Sequence, residues 1–252
     1  MKKWAIVVAG GSGQRMGTSL PKQFLLLNDR PLLYYTLQAF IEAYDDMQLV
    51  LVLPADHLSL GQSLIDTAFA DKNILLTTGG ATRFDSVKNG LALTPTDAVI
   101  FVHDGVRCLV TPQLIWRCSA AALQRGAVVP DITASYSIRL RAAASDATAP
   151  GEAPADRTVV STDIAAAANP VADRTTVLNR DRVLLVQTPQ TFLGEWLHEA
   201  FTLLYNEAFT DEATVLEQAG RSVTIIAGEE TNIKITRPID LLIAERYLQE
   251  RG

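Results

Sequence analysis

The stretch Trp4-Ala5-Ile6-Val7-Val8-Ala9-Gly10-Gly11-Ser12-Gly13-Gln14-Arg15-Met16-Gly17-Thr18-Ser19-Leu20-Pro21-Lys22 decides the fold. Trp4 to Val8 is an unbroken apolar run of strand length and reads as a buried strand. Glycines at 10, 11, 13 and 17 then let the backbone bend and approach a ligand with no Cβ in the way. Successive N–H groups in such a turn converge on an anion, and Arg15 and Lys22 flank it with positive charge. The expectation is a phosphate-binding loop. The spacing Gly11-x-Gly13-x-x-x-Gly17 is one residue longer than the dinucleotide fingerprint, and Gly-Lys-Ser/Thr is absent. The turn by itself therefore also fits a surface turn with two solvated cations.

Downstream of this loop, apolar runs alternate with helical periodicity. Helices are predicted over Pro31–Tyr44, Leu58–Phe69, Thr82 or Arg83 to Leu93, and Thr111-Pro112 to Gln124. In the last of these, threonine caps and proline takes the first turn. Strands are predicted at Gln48–Leu53, Asn73–Thr77, Ala98–His103 and from Ala127 to Pro130. Later come a turn at Thr188–Phe192, a helix from Leu193 to Asn206, and another from Thr210–Ala213 to Gly220. A strand at Ser222–Ala227, an extended Glu230–Ile235 and a helix from Pro238 to Gln249 complete the chain. Such alternation predicts an α/β fold, a Rossmann-like, mostly parallel twisted sheet with helices on both faces. Ligands of such sheets sit beyond the strand carboxyl ends. There the glycine loop, Gly79-Gly80 and His103-Asp104-Gly105 all fall.

The 252 residues suit a single domain spanning 1–252. A 48% hydrophobic share is ample for a packed core. With 22 Lys+Arg against 28 Asp+Glu, and no basic run, the chain excludes nucleic acid and membrane surface as expected partners. Attraction for an anion must come from local clustering of cations. Cys108 and Cys118 make no disulfide framework and have no metal-ligand spacing. The first strand is too short for a signal or a membrane span, so a cytoplasmic location is expected.

Composition shifts from Arg139 to about Thr176. Ala142–Ala155 is mostly small and polar, and Ala165–Ala168 is four alanines. With strands around Tyr136–Leu140 and Val183–Val186, this reads as a protruding, partly mobile β-arm at about 134–183. An arm that cannot bury itself commonly packs on another subunit, so a homodimer is expected, with a floppy surface insertion as the other reading of the tip.

Asp104, at a strand carboxyl end beside a glycine loop, is placed to hold Mg²⁺, which takes few carboxylates and fills its shell with phosphate and water. A turn cap is the plainer role for it. His103 has no partner at triad or metal spacing and is given no catalytic role. There is no Gly-x-Ser-x-Gly elbow and no Cys–His nucleophile pair. Positive charge accumulates on loops instead: Arg15, Lys22, Arg83, Arg107, Arg180 and Lys234. Fixed cations with Mg²⁺ and no nucleophile fit phosphoryl or nucleotidyl transfer.

These residues fall into a known pattern. Ala9–Met16 with Pro21-Lys22-Gln23-Phe24, Gly79–Val87, Val102–Arg107, Gln187-Thr188-Pro189-Gln190, Thr210-Asp211-Glu212-Ala213 and Asn232–Pro238 together resemble the 2-C-methyl-D-erythritol 4-phosphate cytidylyltransferase family. The resemblance spans nearly the whole chain outside the arm. It implies a nucleotidyltransferase fold, a homodimer through exchanged arms and use of Mg²⁺, with CTP and a polyol phosphate as substrates. It further implies Arg15, Lys22, Lys234 and Arg180 as catalytic residues. Nucleotide binding falls to Ala9, Gly10, Gly11, Gly13, Gly80, Ala81, Arg83 and Ser86. Substrate binding falls to Asp104, Arg107, Ser137, Arg180, Thr188 and Lys234, with Asp104 also the metal ligand and Arg180 reaching in from the partner subunit. Tyr136-Ser137 stands where the family has Asp-Thr or Asp-Ser, and Cys108 replaces a usual proline. The competing readings are a ribitol 5-phosphate cytidylyltransferase and a non-catalytic nucleotide-binding relative.

Overall fold

The computed structural model describes residues 1–10, 20–141 and 175–251. The expectations for Gly11, Gly13, Arg15 and the alanine-rich arm tip lie outside the described residues. The chain divides into two compact units, Met1–Ile132 with Val186–Gly252, and Thr133–Leu185.

The larger unit is built on β1 (Lys2–Val8). A tight hairpin follows, β2 (Leu26–Leu27) and β3 (Arg30–Pro31), then α1 (Leu32–Ala43), β4 (Met47–Leu53), α2 (Leu58–Ala68), β5 (Ile74–Thr78) and α3 (Arg83–Leu91). Next come β6 (Ala98–Asp104), α4 (Pro112–Arg125) and β7 (Ala127–Thr133). The smaller unit pairs β8 (Ile138–Arg141) antiparallel with β9 (Thr175–Leu178), Ile138 opposite Leu178. After β10 (Leu184–Val186) the chain continues with β11 (Gln190–Leu193), α5 (Gly194–Ala200), α6 (Glu212–Gln218), β12 (Thr224–Ala227) and α7 (Pro238–Arg251).

In the larger unit the sheet runs β7-β11-β6-β1-β4-β5, with β12 on β7. β1 is parallel to both β4 and β6, β4 to β5, and β7 to β12. The period-2 alternation of a strand sorts the apolar runs into two cores. Ala5, Val7, Leu49, Leu51, Leu53, Val99 and Phe101 face α1, α2 and α4. Ile6, Val50, Val52, Ile100 and Val102 face α3, α5 and α6. A sheet covered on both faces accounts for runs that are apolar at every position.

Local signals set the helix ends. Thr111 accepts from the Leu114 N–H at 3.1 Å with Pro112 following, and Gly126 ends α4 at φ 86°. Asn28 and Asp29 both have positive φ (47° and 62°), the geometry of a two-residue hairpin turn.

Two expectations need correction. Thr188–Phe192 is not merely a turn, because Gln190–Leu193 forms β11, antiparallel to β6 and to β7. Its polar Gln190 and Thr191 are nevertheless buried. The helix expected to Asn206 stops at Ala200, where Phe201 turns in to stack on Phe84 at 4.7 Å. Glu230–Ile235 joins no strand. It is held by side-chain amides and by a small third core of Leu27, Leu32, Val106, Leu109, Ile235 and Ala244.

Candidate active site

From β1 the chain goes by α1 to β4 on one side, and from β6 by α4 toward β7 on the other. The carboxyl ends of β1 and β6 therefore flank the crevice where strand order reverses, the position at which such sheets bind ligands. The Gly105 N–H bonds Val8 C=O and the Ala9 N–H bonds Val52 C=O, both at 2.9 Å, which locks the two loops to the sheet. Gln23 is buried and donates to Ala9 C=O at 2.7 Å, seating the 3₁₀ turn Lys22–Phe24 against the end of β1.

The opposite wall is the entry to α3. Thr82 and Asp85 form a reciprocal capping box. Ser86 Oγ donates to Thr82 C=O at 2.9 Å and accepts from the Gly80 N–H at 3.1 Å. A Cβ on Gly80 would fall 2.2 Å from Asp85 Cβ, so the turn closes only with glycine there. Ala9, Gly10, Lys22, Gly80, Ala81, Arg83, Ser86, Asp104 and Lys234 together line one cavity of about 290 Å³.

Asp104, the last residue of β6, is the hub. Its Oδ1 lies 3.2 Å from Arg83 Nη2, and its Oδ2 lies 2.9 Å from Lys234 Nζ and 3.7 Å from Arg107 Nε. Burial would raise its pKa, but Arg83, Lys234 and Arg107 prevail and hold the carboxyl well below the usual carboxylate range. Arg83 also pairs with buried Glu212. Burial raises the Glu212 pKa against the opposing pull of Arg83.

Lys22 Nζ donates to Ile235 C=O at 3.1 Å, and Ile235 N–H bonds Val106 C=O at 3.0 Å, so both lysines are tied to one loop crossing beside Asp104. That loop is stapled by two buried amides. Gln187 donates to Glu229 C=O at 2.8 Å and accepts from Glu229 N–H at 3.1 Å, while Asn232 donates to Thr188 C=O at 2.8 Å. Arg107 donates to Asn232 C=O at 2.8 Å.

Thr188 Oγ1 accepts from the Asp104 N–H at 3.1 Å and lies 3.0 Å from His103 Nδ1, while His103 Nε2 lies 3.2 Å from Arg107 C=O. A carbonyl only accepts, so Nε2 carries the proton and the Thr188 hydroxyl donates to Nδ1. Burial depresses the His103 pKa to about 4 despite Asp104 beside it, so the imidazole is neutral. His103 is thus a structural tie beneath the site.

Of the residues singled out from sequence, Lys22, Arg83, Asp104 and Lys234 meet at the cavity, and Arg107 and Thr188 touch Asp104 from behind. Ser137 and Arg180 belong to the smaller unit. There Ser137 is exposed, and the half-exposed Arg180 donates to Ser135 C=O at 3.4 Å. Gln23, Gln187, Glu212 and Asn232 stand within the motifs but have no role assigned from sequence. Gln23 adjoins Lys22 and Glu212 adjoins Asp211, whereas Gln187 and Asn232 adjoin no charged residue, so their only signal is membership of those motifs.

Asp104 is the carboxylate among the residues lining the cavity, and among the described residues no three His, Cys, Asp or Glu side chains cluster to hold a metal. One carboxylate facing a cation-lined cleft fits Mg²⁺ shared with ligand phosphates, since Mg²⁺ keeps few protein ligands. Among the described residues no helix is long and apolar enough to cross a membrane.

The chain matches the family profile of 2-C-methyl-D-erythritol 4-phosphate cytidylyltransferase over residues 4–149 and 143–250. It is 39% identical over 248 residues to the enzyme of that name from Porphyromonas gingivalis, covering 98% of each chain. To that from Bacteroides fragilis it is 37% identical, covering 98% of this chain and 100% of the other. Among solved structures it is similar to the 2-C-methyl-D-erythritol 4-phosphate cytidylyltransferase of Thermus thermophilus, with TM-score 0.69, 27% identity and coverage of 99% and 100%. The 4-diphosphocytidyl-2C-methyl-D-erythritol synthase of Anaerococcus prevotii shares the fold at TM-score 0.74 and 22% identity, covering 98% of both chains.

Proposed function

The chain belongs to the 2-C-methyl-D-erythritol 4-phosphate cytidylyltransferase family, and from that premise we propose how its cleft carries out the transfer. The enzyme moves the cytidylyl group of CTP onto 2-C-methyl-D-erythritol 4-phosphate, giving the CDP-methylerythritol intermediate of non-mevalonate isoprenoid synthesis and pyrophosphate. A phosphate oxygen of the polyol phosphate forms a bond to the α-phosphorus as the bond from that phosphorus to the pyrophosphate oxygen breaks. The attacking phosphate is already ionised near neutral pH, so no protein base is required. Catalysis then rests on positioning and charge.

In this assignment, the backbone at Ala9 and Gly10 and the Gly80–Ala81 turn with Ser86 and Arg83 take the nucleoside. Lys22, Lys234 and Arg15 are assigned to the phosphates, where cations fixed before the reaction offset charge growing on the α-phosphoryl oxygens. Asp104 would hold Mg²⁺, which when bound supplies further neutralisation of the triphosphate. Arg107 and Thr188 fix Asp104 and border the polyol side. Ser137 and Arg180 are assigned to polyol recognition, with Arg180 of the partner subunit acting across a homodimer formed through the arm.

One observation supports the assignment above the others: Lys22, Arg83, Lys234 and Asp104 share one cavity with the main chain of Gly10 and Gly80 at the strand carboxyl ends. The test is pyrophosphate release from CTP and Mg²⁺ with each polyol phosphate in turn. Release with 2-C-methyl-D-erythritol 4-phosphate is expected. Release with ribitol 5-phosphate alone, or with neither, overturns the proposal. Sedimentation of the wild type beside Arg180→Ala tests the dimer: a dimer is expected in both, with turnover lost only in the variant.

A further inference from the structure

We propose that Glu212 is a positioning residue of the nucleotide cleft, clamping one arm of Arg83 so that the other stays on the cleft wall when Asp104 is engaged by ligands. The inference rests on the nucleotide reading of that cleft. Arg83 presents a planar fork with two ends. Nη1 pairs with Glu212, and Nη2 lies 3.2 Å from Asp104 Oδ1. Glu212 is 1% exposed, and its Oε2 has no hydrogen-bond partner among the described residues. Burying a carboxylate is costly unless it is paired, and Arg83 is the cation that pairs with it.

The clamp is itself held rigidly. Glu212 opens α6, whose N-cap Asp211 forms a capping box with Thr214. Gln190 of β11 grips this turn twice, donating to Asp211 Oδ2 at 2.8 Å and accepting from the Ala213 N–H at 2.9 Å. The carboxylate is therefore tied to the middle of the sheet. Phe84, next to Arg83, stacks on Phe201 and on Phe209 at 4.7 and 5.7 Å, which fixes the first turn of α3 beside the pair.

Asp104 is shared by Arg83, Lys234 and Arg107. When metal and substrate claim it, Arg83 loses that counter-charge. Without a second acid the guanidinium would follow the nearest anion, the triphosphate, and leave the wall that shapes the nucleoside pocket. Glu212 supplies that second acid from behind.

The experiment is steady-state kinetics with CTP varied, for wild type, Glu212→Gln, Arg83→Ala and the double variant, with thermal unfolding of each. Glu212→Gln keeps the side-chain volume and a hydrogen bond. It is expected to raise KM for CTP about tenfold while kcat changes less than about threefold, and to add less than about twofold in the Arg83→Ala background. An unmoved KM, or effects that multiply in the double variant, overturns the clamp. Should Glu212→Gln fail to fold, Glu212→Asp keeps the charge but draws it back. Its KM is expected to rise at temperatures where the variant is fully folded, and an unchanged KM there overturns the clamp equally. Wild-type turnover with an unmoved variant KM sinks the clamp alone, whereas no wild-type turnover with either polyol phosphate sinks the functional reading beneath it.

Discussion

Replacing Lys234 with alanine separates catalysis from stability. Lys234 Nζ lies 2.9 Å from Asp104 Oδ2 and its side chain is 44% exposed. At an effective dielectric constant of about 20 the bare attraction at that separation is about 6 kcal/mol. Half-exposure screens most of it, and exposed pairs contribute about 1 kcal/mol or less net. Removing Lys234 strands no buried charge, because Arg83 and Arg107 remain beside Asp104 at 3.2 and 3.7 Å. Stability should therefore fall by no more than about 1 kcal/mol in urea unfolding. Transition-state stabilisation should fall far more. A fixed cation lost from a developing oxyanion typically costs 10²–10³ in rate, about 3–4 kcal/mol of barrier. Pyrophosphate release at saturating CTP should drop by that factor, and Lys234→Gln, similar in length but uncharged, should not recover it. Turnover within about threefold of wild type, or a rate loss that merely tracks unfolding, would refute the role.

Lys22→Ala should lower turnover by about 10²–10³ as well, with the urea midpoint nearly unchanged; an active variant would remove Lys22 from the catalytic set. Chelation by EDTA should abolish pyrophosphate release, restored by excess Mg²⁺, without moving the unfolding midpoint, whereas full turnover in EDTA would exclude the metal role of Asp104. In Gly90→Ala the new Cβ would lie 2.6 Å from Ile6 Cγ2 and 3.0 Å from Val52 Cγ2. Overpacking of about 1–3 kcal/mol should outweigh a helix-propensity gain of about 1 kcal/mol, so a more stable Gly90→Ala would contradict the packing of α3. Buried His103 titrates near 4 in the folded chain against 6.5 ordinarily, so the unfolded chain takes up the proton first as pH falls. Its contribution is intact above about pH 6.5 and is lost progressively toward pH 4, amounting to about 3 kcal/mol. Urea midpoints from pH 7 to 4.5 should show that decline in wild type and lack it in His103→Gln; a flat wild-type profile would contradict the buried neutral imidazole.

The parallel strands were legible because each is apolar at successive positions, as a sheet covered on both faces requires. β11 was not. Its Gln190 and Thr191 are polar yet buried, and Gln190 is satisfied by Asp211 and Ala213, partners that only the folded chain brings near. The hairpin at Asn28-Asp29 was missed because its strands are two residues each. In the cleft, cations at turns beside glycines could be picked out by charge and position alone. The supporting amides could not, because Gln23, Gln187 and Asn232 act by gripping backbone that is distant in sequence. Glu212 stayed hidden for a like reason, its meaning residing in a partner in another helix.

The late insertion of β11 bears on how the chain is made. β6 and β7 are synthesised early, yet they do not pair with each other; the strand that joins them is translated only after the whole smaller unit. Until then the nascent sheet carries an open apolar margin along β6, an invitation to pair with a neighbouring chain. Mutations that slow the return of Gln190–Leu193 should therefore depress the yield of soluble enzyme in cells more than they depress the stability of molecules that have finished folding.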